Sequence, residues 1–336
     1  MSSLNAKLVR LAGRGLILLG LVAVSALALA LGSQGTLPER LTVMLDWFPN
    51  PNHVPLYVAK EEGFFAAEGL ELELLVPASP SDPVKLAAVG KVDIAITTGM
   101  NLIIARAEDL PLVAIGALIQ RPLGGLLALE KGGISRLEDL RGRRIGYSLE
   151  PEELILWEAM LGCVGLEPGT YELINVGFNT VAALLAGSVD AIGAFRNYEK
   201  LVVELQGEET VFFPMEEYCI PEHYQLVFVV SKRTLSGRAR ALGEFIRGLA
   251  QGIRFTLSDP NKALDIFFEV HPELDDELNL RSFLATLLYF VGSPCVNAAG
   301  KWTELQDFLY EWGLIQKRAA LEELFTEEFL PPECFG

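Results

Sequence analysis

The sequence predicts an α/β protein of two lobes with a hinge between them, and two features support this. Strand and helix signals alternate along the first two hundred residues of the main body, an order typical of α/β folds with mainly parallel strands. In addition, one unit of helix end, glycine and strand occurs twice, at Leu86–Ile96 and at Ala183–Ile192. Because both copies open a buried strand with Val-Asp, they predict two lobes of similar design.

The elements of the first lobe follow from local patterns. Leu70–Val76 alternates polar and apolar residues, which is the period of a half-buried strand. Asp82 and Pro83 mark a helix start, since a carboxylate caps the first turn and proline fits the first helical position. The predicted elements are strands at Leu41–Leu45, Leu70–Val76, Asp93–Ile96 and Leu112–Ile119, and helices at Val54–Glu62 and from Asp82 to Gly90.

The second lobe is predicted between two crossings of the chain. The chain leaves the first lobe near Gln120–Gly125 and runs in the second lobe through the strand Gln225–Val230. From Ser236 onward the pattern is helical, and these helices are expected to pack on the first lobe. The predicted lobes are residues 40–120 with 232–336, and residues 121–231. A chain that crosses twice permits the lobes to close about a hinge.

The N-terminus has the layout of a secretory signal. Three basic residues precede the apolar run Leu16–Leu31, and Ala28–Ala30 offers a small-x-small cleavage site. The run is also nearly long enough to remain as a membrane anchor. Residues 1–35 are therefore predicted to be a signal peptide or a membrane anchor. Either places the body outside the cytoplasm, in the periplasm or on the outer face of the cytoplasmic membrane.

Charge and motifs exclude several classes of function. The net charge of −17 argues against nucleic-acid binding, which needs a basic face. The sequence contains no HExxH pair, no GxSxG elbow and no GxxxxGK[ST] loop. The four cysteines have no zinc-site spacing; they allow three disulfide pairings, and free thiols are equally consistent with the sequence. We expect neither a metal nor a cofactor.

A candidate ligand site follows the first strand. The segment Leu45–Ala59 leads from strand to helix, and ligands of open α/β sheets bind at the carboxyl ends of strands. Trp47 beside hydrogen-bonding groups such as Asp46 and Asn52 suits a flat heterocycle, by stacking and edge recognition. The alternative is that Trp47 belongs to the core and that Asn52 only caps the helix.

The same segment resembles a known family. The matching stretches, quoted in order, are LDWFPNPNHVPLYVAKEEGFF, GKVDIAITTGMNLIIARAEDLPLVAIGALIQRP, LRGRRIGYS, NVGFNTVAALLAGSVDAIGAFRNYE and EEYCIPEHYQLVFVVSK. They resemble the family of thiamine-pyrimidine precursor-binding proteins of ABC importers and fungal pyrimidine synthases, over about Leu41–Lys262. The resemblance implies a type II periplasmic-binding-protein fold with an aminopyrimidine in its cleft. It also implies delivery of this small molecule to the membrane subunits of an ABC importer.

The residues and the resemblance together predict a set of ligand-binding side chains. They are Asp46, Trp47, Asn52, Tyr57, Thr98, Asn101, Ser148, Glu150, Asn197, Tyr198, Glu199 and Glu217. Glu199 and Glu217 are the candidates to accept hydrogen bonds from an exocyclic amine. The alternative for Glu199 is a solvated helix end, and the alternative for Glu217, which the sequence favours more, is an acidic loop. Trp47, Tyr57 and Tyr198 are the candidates to sandwich the ring.

The chain departs from the fungal synthases at their chemical residues. The resemblance aligns a lysine and a histidine of the synthases with Thr97 and Asn101, and a cysteine-rich patch with Pro221–Gln225. Without a lysine to hold pyridoxal phosphate, we expect a binding protein and no enzyme. Three alternatives stay open: riboflavin or another flat heterocycle as ligand, a pyrimidine synthase-like enzyme, and a membrane-tethered sensor. A sulfonate is disfavoured because the expected cations are few, mainly Arg121 and Arg196.

Overall fold

The computed structural model describes residues 37–335, so the predicted signal peptide or anchor lies outside the described residues. Within this range the chain forms ten strands, β1 (Glu39–Met44), β2 (Leu70–Leu75), β3 (Ile94–Thr97), β4 (Leu112–Ile119), β5 (Gly124–Leu129), β6 (Arg144–Tyr147), β7 (Glu172–Asn175), β8 (Ala191–Phe195), β9 (Thr210–Pro214) and β10 (Leu226–Ser231). The helices are α1 (Val54–Glu61), α2 (Phe64–Ala67), α3 (Asp82–Ala88), α4 (Gly99–Ala107), α5 (Glu152–Cys163), α6 (Thr180–Leu185), α7 (Glu199–Leu205), α8 (Lys232–Gly237), α9 (Ala239–Ser258), α10 (Pro260–Val270), α11 (Glu277–Thr286), α12 (Ala299–Glu311) and α13 (Leu321–Leu324). None of these described helices is long and apolar enough to cross a membrane.

The strands form two five-stranded sheets with the same plan. The first has the order β2-β1-β3-β10-β4 and the second the order β7-β6-β8-β5-β9. The first three strands of each order are parallel, whereas β10 and β5 are antiparallel to both of their neighbours. The prediction of mainly parallel pairing is therefore wrong. Strands that are connected by a helix within one lobe are expected to be parallel. β10 and β5 instead enter their sheets just after the chain has crossed from one lobe to the other, so this expectation does not apply to them.

The repeated helix–glycine–strand unit is confirmed, because its copies lie at equivalent places. They contribute β3 and β8, which are the central strands of the two sheets. Asp93 of the first copy accepts the backbone N–H of Thr42 on β1 at 2.9 Å. Asp190 of the second copy accepts the backbone N–H of Arg144 on β6 at 2.9 Å. In each sheet this aspartate connects the central strand to the equivalent neighbouring strand, β1 in the first sheet and β6 in the second.

The return crossing comes earlier in the chain than predicted. The prediction that Gln225–Val230 belongs to the second lobe is wrong, because β10 pairs with β3 and β4 of the first sheet. The pairing partners of a buried strand, rather than its own residues, decide which sheet it joins. Gln225 connects the two crossings directly, since its side-chain oxygen accepts the N–H groups of Leu123 at 2.7 Å and Gly124 at 3.3 Å.

The C-terminal helices cover the first sheet and reach the second. Two glycines let α9 pack closely on α1 and α2: a Cβ at Gly252 would lie 2.3 Å from the Pro55 carbonyl oxygen, and one at Gly248 would lie 2.5 Å from the Phe65 ring. Further along, α11 contacts both the turn Pro51–His53 and α7. This helix therefore touches segments that follow a strand of each sheet.

All four cysteines are paired in the structure. Cys163 at the end of α5 bonds to Cys219, which follows β9, and Cys295 before α12 bonds to Cys334 near the C-terminus. Three pairings and free thiols were open from the sequence. The fold selects one pairing because it brings residues far apart in the chain within bonding distance.

Candidate functional site

A cavity lies between the two sheets at the carboxyl ends of their strands. It encloses about 900 Å³ of space free of protein atoms, part of it open to solvent. Its lining comes from the segment after β1, the ends of β3 and β8, the β6–α5 turn and the first turns of α5 and α7. Open α/β sheets bind ligands in this position.

A buried histidine orients the first carboxylate of the cavity. His53 Nε2 lies 2.8 Å from Asp46 Oδ1, and His53 Nδ1 accepts the backbone N–H of Asn50 at 3.3 Å. Since Nδ1 is an acceptor, the ring proton lies on Nε2 and is donated to Asp46. His53 is fully buried and Asp46 lines the cavity. The histidine therefore positions the carboxylate and does not face a ligand.

Aromatic rings from both sides meet at the cavity. Trp47, after β1, packs edge-to-face on Phe178, before α6, with ring centroids 4.3 Å apart, and Phe48 lies 4.8 Å from the same ring. The aromatic lining residues are Trp47, Trp157, Phe195 and Tyr198. Burial, with the charge of Glu199, raises the pKa of Tyr198 to about 12, so this ring carries a neutral hydroxyl. Such a wall suits a flat ring.

A hydrogen bond joins the two sides inside the cavity. Thr98 caps α4 by accepting the N–H of Asn101 at 2.9 Å, and its hydroxyl donates to Glu152 Oε2 at 2.5 Å. Glu152 opens α5 and is only 3% exposed. Burial raises the pKa of Glu152 to about 8; the Thr98 bond opposes this rise and the charge of Glu153 adds to it. Glu152 therefore keeps its proton at neutral pH.

Glu153 folds back on the turn between β6 and α5. Its Oε2 accepts the backbone N–H of Ser148 at 2.5 Å, the Ser148 hydroxyl at 3.2 Å and the N–H of Leu149 at 3.4 Å. Gly193 on β8 leaves the necessary room, since a Cβ there would lie 2.8 Å from Glu153 Oε1 and 2.6 Å from the Trp157 ring. Burial raises the pKa of Glu153 to about 7, against the effect of these hydrogen bonds.

Glu199 follows β8, the strand next to β6 in the second sheet. Its carboxylate accepts the backbone N–H of Phe195 at 2.8 Å. Burial raises the pKa of Glu199 more than this bond lowers it, and the charge of Asp46 raises it further. The charge of Asp46 thus acts on Glu199 across the cavity.

Carboxyl groups dominate the charge of the lining. Four of them line the cavity: Asp46, Glu152, Glu153 and Glu199. Among the described residues that line it, none is a lysine, arginine or histidine. Arg121 donates instead to the Leu288 carbonyl, and Arg196 pairs with Glu216 at 2.7 Å. The cavity therefore favours a cationic or donor-rich ligand over an anion.

The structure brings seven of the predicted side chains together on the lining. They are Asp46, Trp47, Asn52, Thr98, Ser148, Tyr198 and Glu199. These residues come from separate strand ends of both sheets, as the positions in the sequence predicted. Their contact with a ligand stays a prediction.

Three other predicted side chains do not line the cavity. Tyr57 is buried among helices, with its ring centroid 5.4 Å from that of Phe267 and 4.8 Å from that of His271. Glu150 and Glu217 are exposed and do not line the cavity. For these three the structure does not support the predicted contact with a ligand, and the Tyr57 ring packs on Phe267 and His271 instead.

Two predicted asparagines lie behind the lining and support it. Asn101 Nδ2 donates to Thr97 Oγ1 at 3.0 Å. Asn197 Nδ2 donates to Asn52 Oδ1 and to Thr286 Oγ1, each at 2.7 Å. Neither asparagine lines the cavity, so the structure does not support the predicted contact of either with a ligand. Asn197 instead connects the turn after β8 to Asn52 and to α11.

Sequence reasoning missed the carboxyl pair at the start of α5, buried Glu152 and half-buried Glu153, and the ring next to it. Glu152, Glu153 and Trp157 line the cavity, whereas the prediction chose Glu150 from the same stretch. Their position was visible, because they follow a strand at its carboxyl end. In the described part of the chain, no group of three or more histidine, cysteine or acidic residues forms a metal site.

Comparison with known proteins identifies the family. A family model described as NMT1/THI5 like matches residues 50–263. The chain belongs to the NMT1/THI5-like family. A Haemophilus influenzae relative, assigned by name to thiamine biosynthesis, is 36% identical over 303 residues, which cover 88% of this chain and 96% of the relative. The resemblance seen in the sequence is thus confirmed.

Other relatives in this family carry names of two kinds. The formylaminopyrimidine-binding protein of Halalkalibacterium halodurans is 29% identical over 297 residues, covering 86% of this chain and 90% of the relative. The 4-amino-5-hydroxymethyl-2-methylpyrimidine phosphate synthase of Legionella pneumophila is 28% identical over 307 residues, covering 89% and 95%. Membership of the NMT1/THI5-like family therefore does not distinguish a binding protein from a synthase, and the residues of the site have to decide between them.

Solved structures confirm the predicted fold class. The alkanesulfonate-binding protein SsuA from Xanthomonas axonopodis pv. citri, bound to MOPS, superposes with a TM-score of 0.69 at 17% identity, covering 87% of this chain and 99% of that one. At this identity the likeness establishes the fold alone. This member of the NMT1/THI5-like family has the two-lobed α/β fold of periplasmic binding proteins.

Proposed function

We propose that this chain is an exported solute-binding protein of an ABC importer and that it binds a thiamine-pyrimidine precursor. The ligand is of the formylaminopyrimidine or hydroxymethylpyrimidine type, and it is delivered unchanged to the membrane subunits. The two sheets are the centres of two lobes that close on it, and the crossings connected by Gln225 form the hinge.

The observation that carries the proposal is the chemistry of the cavity. Its charged lining consists of carboxyl groups beside aromatic rings, with no cation among the described lining residues. An aminopyrimidine matches both features, because its ring stacks and its amine donates hydrogen bonds to carboxylates. A sulfonate would meet carboxylates in place of cations, so the ligand of the structural relative SsuA does not suit this cavity.

Two observations favour binding over synthesis. Thr97 and Asn101, aligned with the lysine and histidine of the fungal synthases, form a neutral hydrogen-bonded pair at 3.0 Å. In addition, the relative from Halalkalibacterium halodurans is named for binding. A protein without an amine at this place has no group there to form an aldimine with pyridoxal phosphate.

The two disulfides support export. Cys163–Cys219 and Cys295–Cys334 join residues 56 and 39 positions apart in the chain, and such bonds persist in oxidising compartments such as the periplasm. Export agrees with the signal-like N-terminus of the sequence. Fractionation of cells that express the full chain tests this, and recovery of the full-length protein from the cytoplasm would contradict it.

The ligand is tested by what the protein carries and what it binds. Mass spectrometry of small molecules released from the purified, denatured protein is expected to find an aminopyrimidine. Calorimetry with 4-amino-5-hydroxymethyl-2-methylpyrimidine, its formylamino relative, riboflavin and an alkyl sulfonate then ranks the classes. Tight sulfonate or riboflavin binding without a response to aminopyrimidines would overturn the proposed ligand. An aldimine absorption band on addition of pyridoxal phosphate, lost on borohydride reduction, would overturn the binding role.

A further inference from the structure

The turn between β6 and α5 has the position of an anion site. It lies at the carboxyl end of a strand, at the N-terminus of a twelve-residue helix and on the lining of the cavity. In α/β proteins such turns bind phosphate, because their backbone N–H groups and the helix dipole attract negative charge. A phosphorylated ligand entering this cavity would find its natural anchor here.

In this chain the hydrogen-bond donors of the turn are already bound by a side chain of the protein, Glu153. Glu153 Oε2 accepts the N–H groups of Ser148 and Leu149, at 2.5 Å and 3.4 Å, together with the Ser148 hydroxyl at 3.2 Å. A carboxyl group therefore occupies the donors that a phosphate would need. The side chain is confined between this turn and Gly193, where even an added Cβ would lie 2.8 Å from Oε1.

The surroundings of Glu153 offer no compensation to an anion. Glu152 and Glu199 line the same cavity, and the charge of Glu199 acts on Glu153. Among the described lining side chains none is cationic. A phosphate placed near the turn would have to displace the Glu153 carboxyl group and would find no cationic partner on the lining in its place.

We propose that Glu153 sets the specificity of the cavity against phosphorylated ligands: it closes the anion-binding turn, so that the unphosphorylated aminopyrimidine enters and its phosphate ester is rejected. The pyrimidine part of this inference rests on the proposed function. The rejection of phosphate rests on the turn alone and is tested separately.

The first experiment uses inorganic phosphate and needs no pyrimidine. Thermal unfolding and calorimetry with phosphate compare the full chain with Glu153→Ala, Glu153→Gln and the control Glu158→Gln. The control removes one carboxyl group from the same helix, at a position that does not line the cavity.

We expect phosphate to bind Glu153→Ala at least about tenfold more tightly than the unmodified chain. Glu153→Gln keeps the turn occupied without the charge and should gain about threefold. The control should not differ from the unmodified chain.

Three results of this experiment would overturn the inference. The first is tight phosphate binding by the unmodified chain. The second is unchanged phosphate binding in both Glu153 variants when circular dichroism shows that either is folded. An equal gain in Glu158→Gln would also overturn it, because the effect would then come from net charge and not from the turn.

The second experiment measures the two pyrimidines. Calorimetry with 4-amino-5-hydroxymethyl-2-methylpyrimidine and its phosphate ester should show a preference of about 100-fold or more for the alcohol in the unmodified chain. Glu153→Ala should reduce this preference about tenfold or more, mainly by tighter binding of the ester. Equal binding of alcohol and ester by the unmodified chain would overturn the inference and leave the proposed function intact. Binding of neither would overturn the proposed function, while the phosphate experiment still decides the role of Glu153.

Discussion

The buried carboxyl group of Glu152 makes the free energy of unfolding depend on pH. The substitution Glu152→Gln is expected to remove this dependence. Burial raises the pKa of Glu152 from 4.5 to about 8, so the folded protein holds a proton that the unfolded chain loses. Stability therefore falls as pH rises from about 4.5 to about 8. Glutamine has the same shape, still accepts the Thr98 hydroxyl and cannot ionise. Glu152→Gln should remove this loss.

The size of the effect follows from the raised pKa. At about 1.36 kcal/mol for each pH unit, a rise from 4.5 to about 8 corresponds to a limit of about 5 kcal/mol. Relaxation and water entry reduce such penalties in real proteins, so we expect Glu152→Gln to be more stable than the unmodified chain by about 2–4 kcal/mol at pH 8. Near pH 4 the two proteins should have equal stability within about 0.5 kcal/mol, because both side chains are then neutral.

Urea unfolding at a series of pH values measures this difference. Glu158→Gln is the matched control, since Glu158 lies on the same helix outside the cavity. A constant difference for Glu152→Gln from pH 4 to pH 8, or a loss of stability at pH 8, would refute the reasoning. Either result would mean that Glu152 is not neutral in the folded protein.

Three further predictions concern the ligand and the disulfides. Trp47→Ala and Glu199→Ala should each weaken aminopyrimidine binding about ten- to a hundredfold in calorimetry, while Glu217→Ala, at an exposed position outside the cavity, should change nothing; unchanged affinity in the first two would refute the site. Aminopyrimidine affinity should increase from about pH 6 to pH 8, because Glu153 and Glu152, with pKa values of about 7 and 8, become carboxylates that accept amine hydrogens. Calorimetry in buffers of different ionisation enthalpy should then detect proton release, and the absence of release would contradict this. Non-reducing peptide mapping should recover only the pairs Cys163–Cys219 and Cys295–Cys334, and reduction should cost about 2–5 kcal/mol of stability; a free thiol at any of these positions would contradict the pairing.

Structural features that depend only on neighbouring residues could be predicted from the sequence. The alternation in Leu70–Val76 and the helix start at Asp82 each depend on a few neighbouring residues, and the structure has β2 and α3 there. The repeated unit also predicted two lobes of similar design, and the structure has two sheets with the same plan, because a helix end, a glycine and a buried strand are set by local geometry and hydrophobicity. Trp47 and Asp46 were found as lining residues because they directly follow a strand.

Features that depend on contacts between distant residues were decided only by the tertiary structure. β10 carries the pattern of any buried strand, and its place in the first sheet comes from pairing with β3 and β4. The disulfides were likewise chosen by proximity in space. Successive side chains of an α-helix are rotated by about 100°, and in α5 this rotation brings both Glu152 and Glu153 to the cavity. Glu150 lies before the helix and is exposed. The sequence by itself determined the fold class and the strand ends that form the cavity. Which carboxyl groups are buried there was decided by the packing of the two sheets around them, because burial is a property of neighbours that the chain brings together only when it folds.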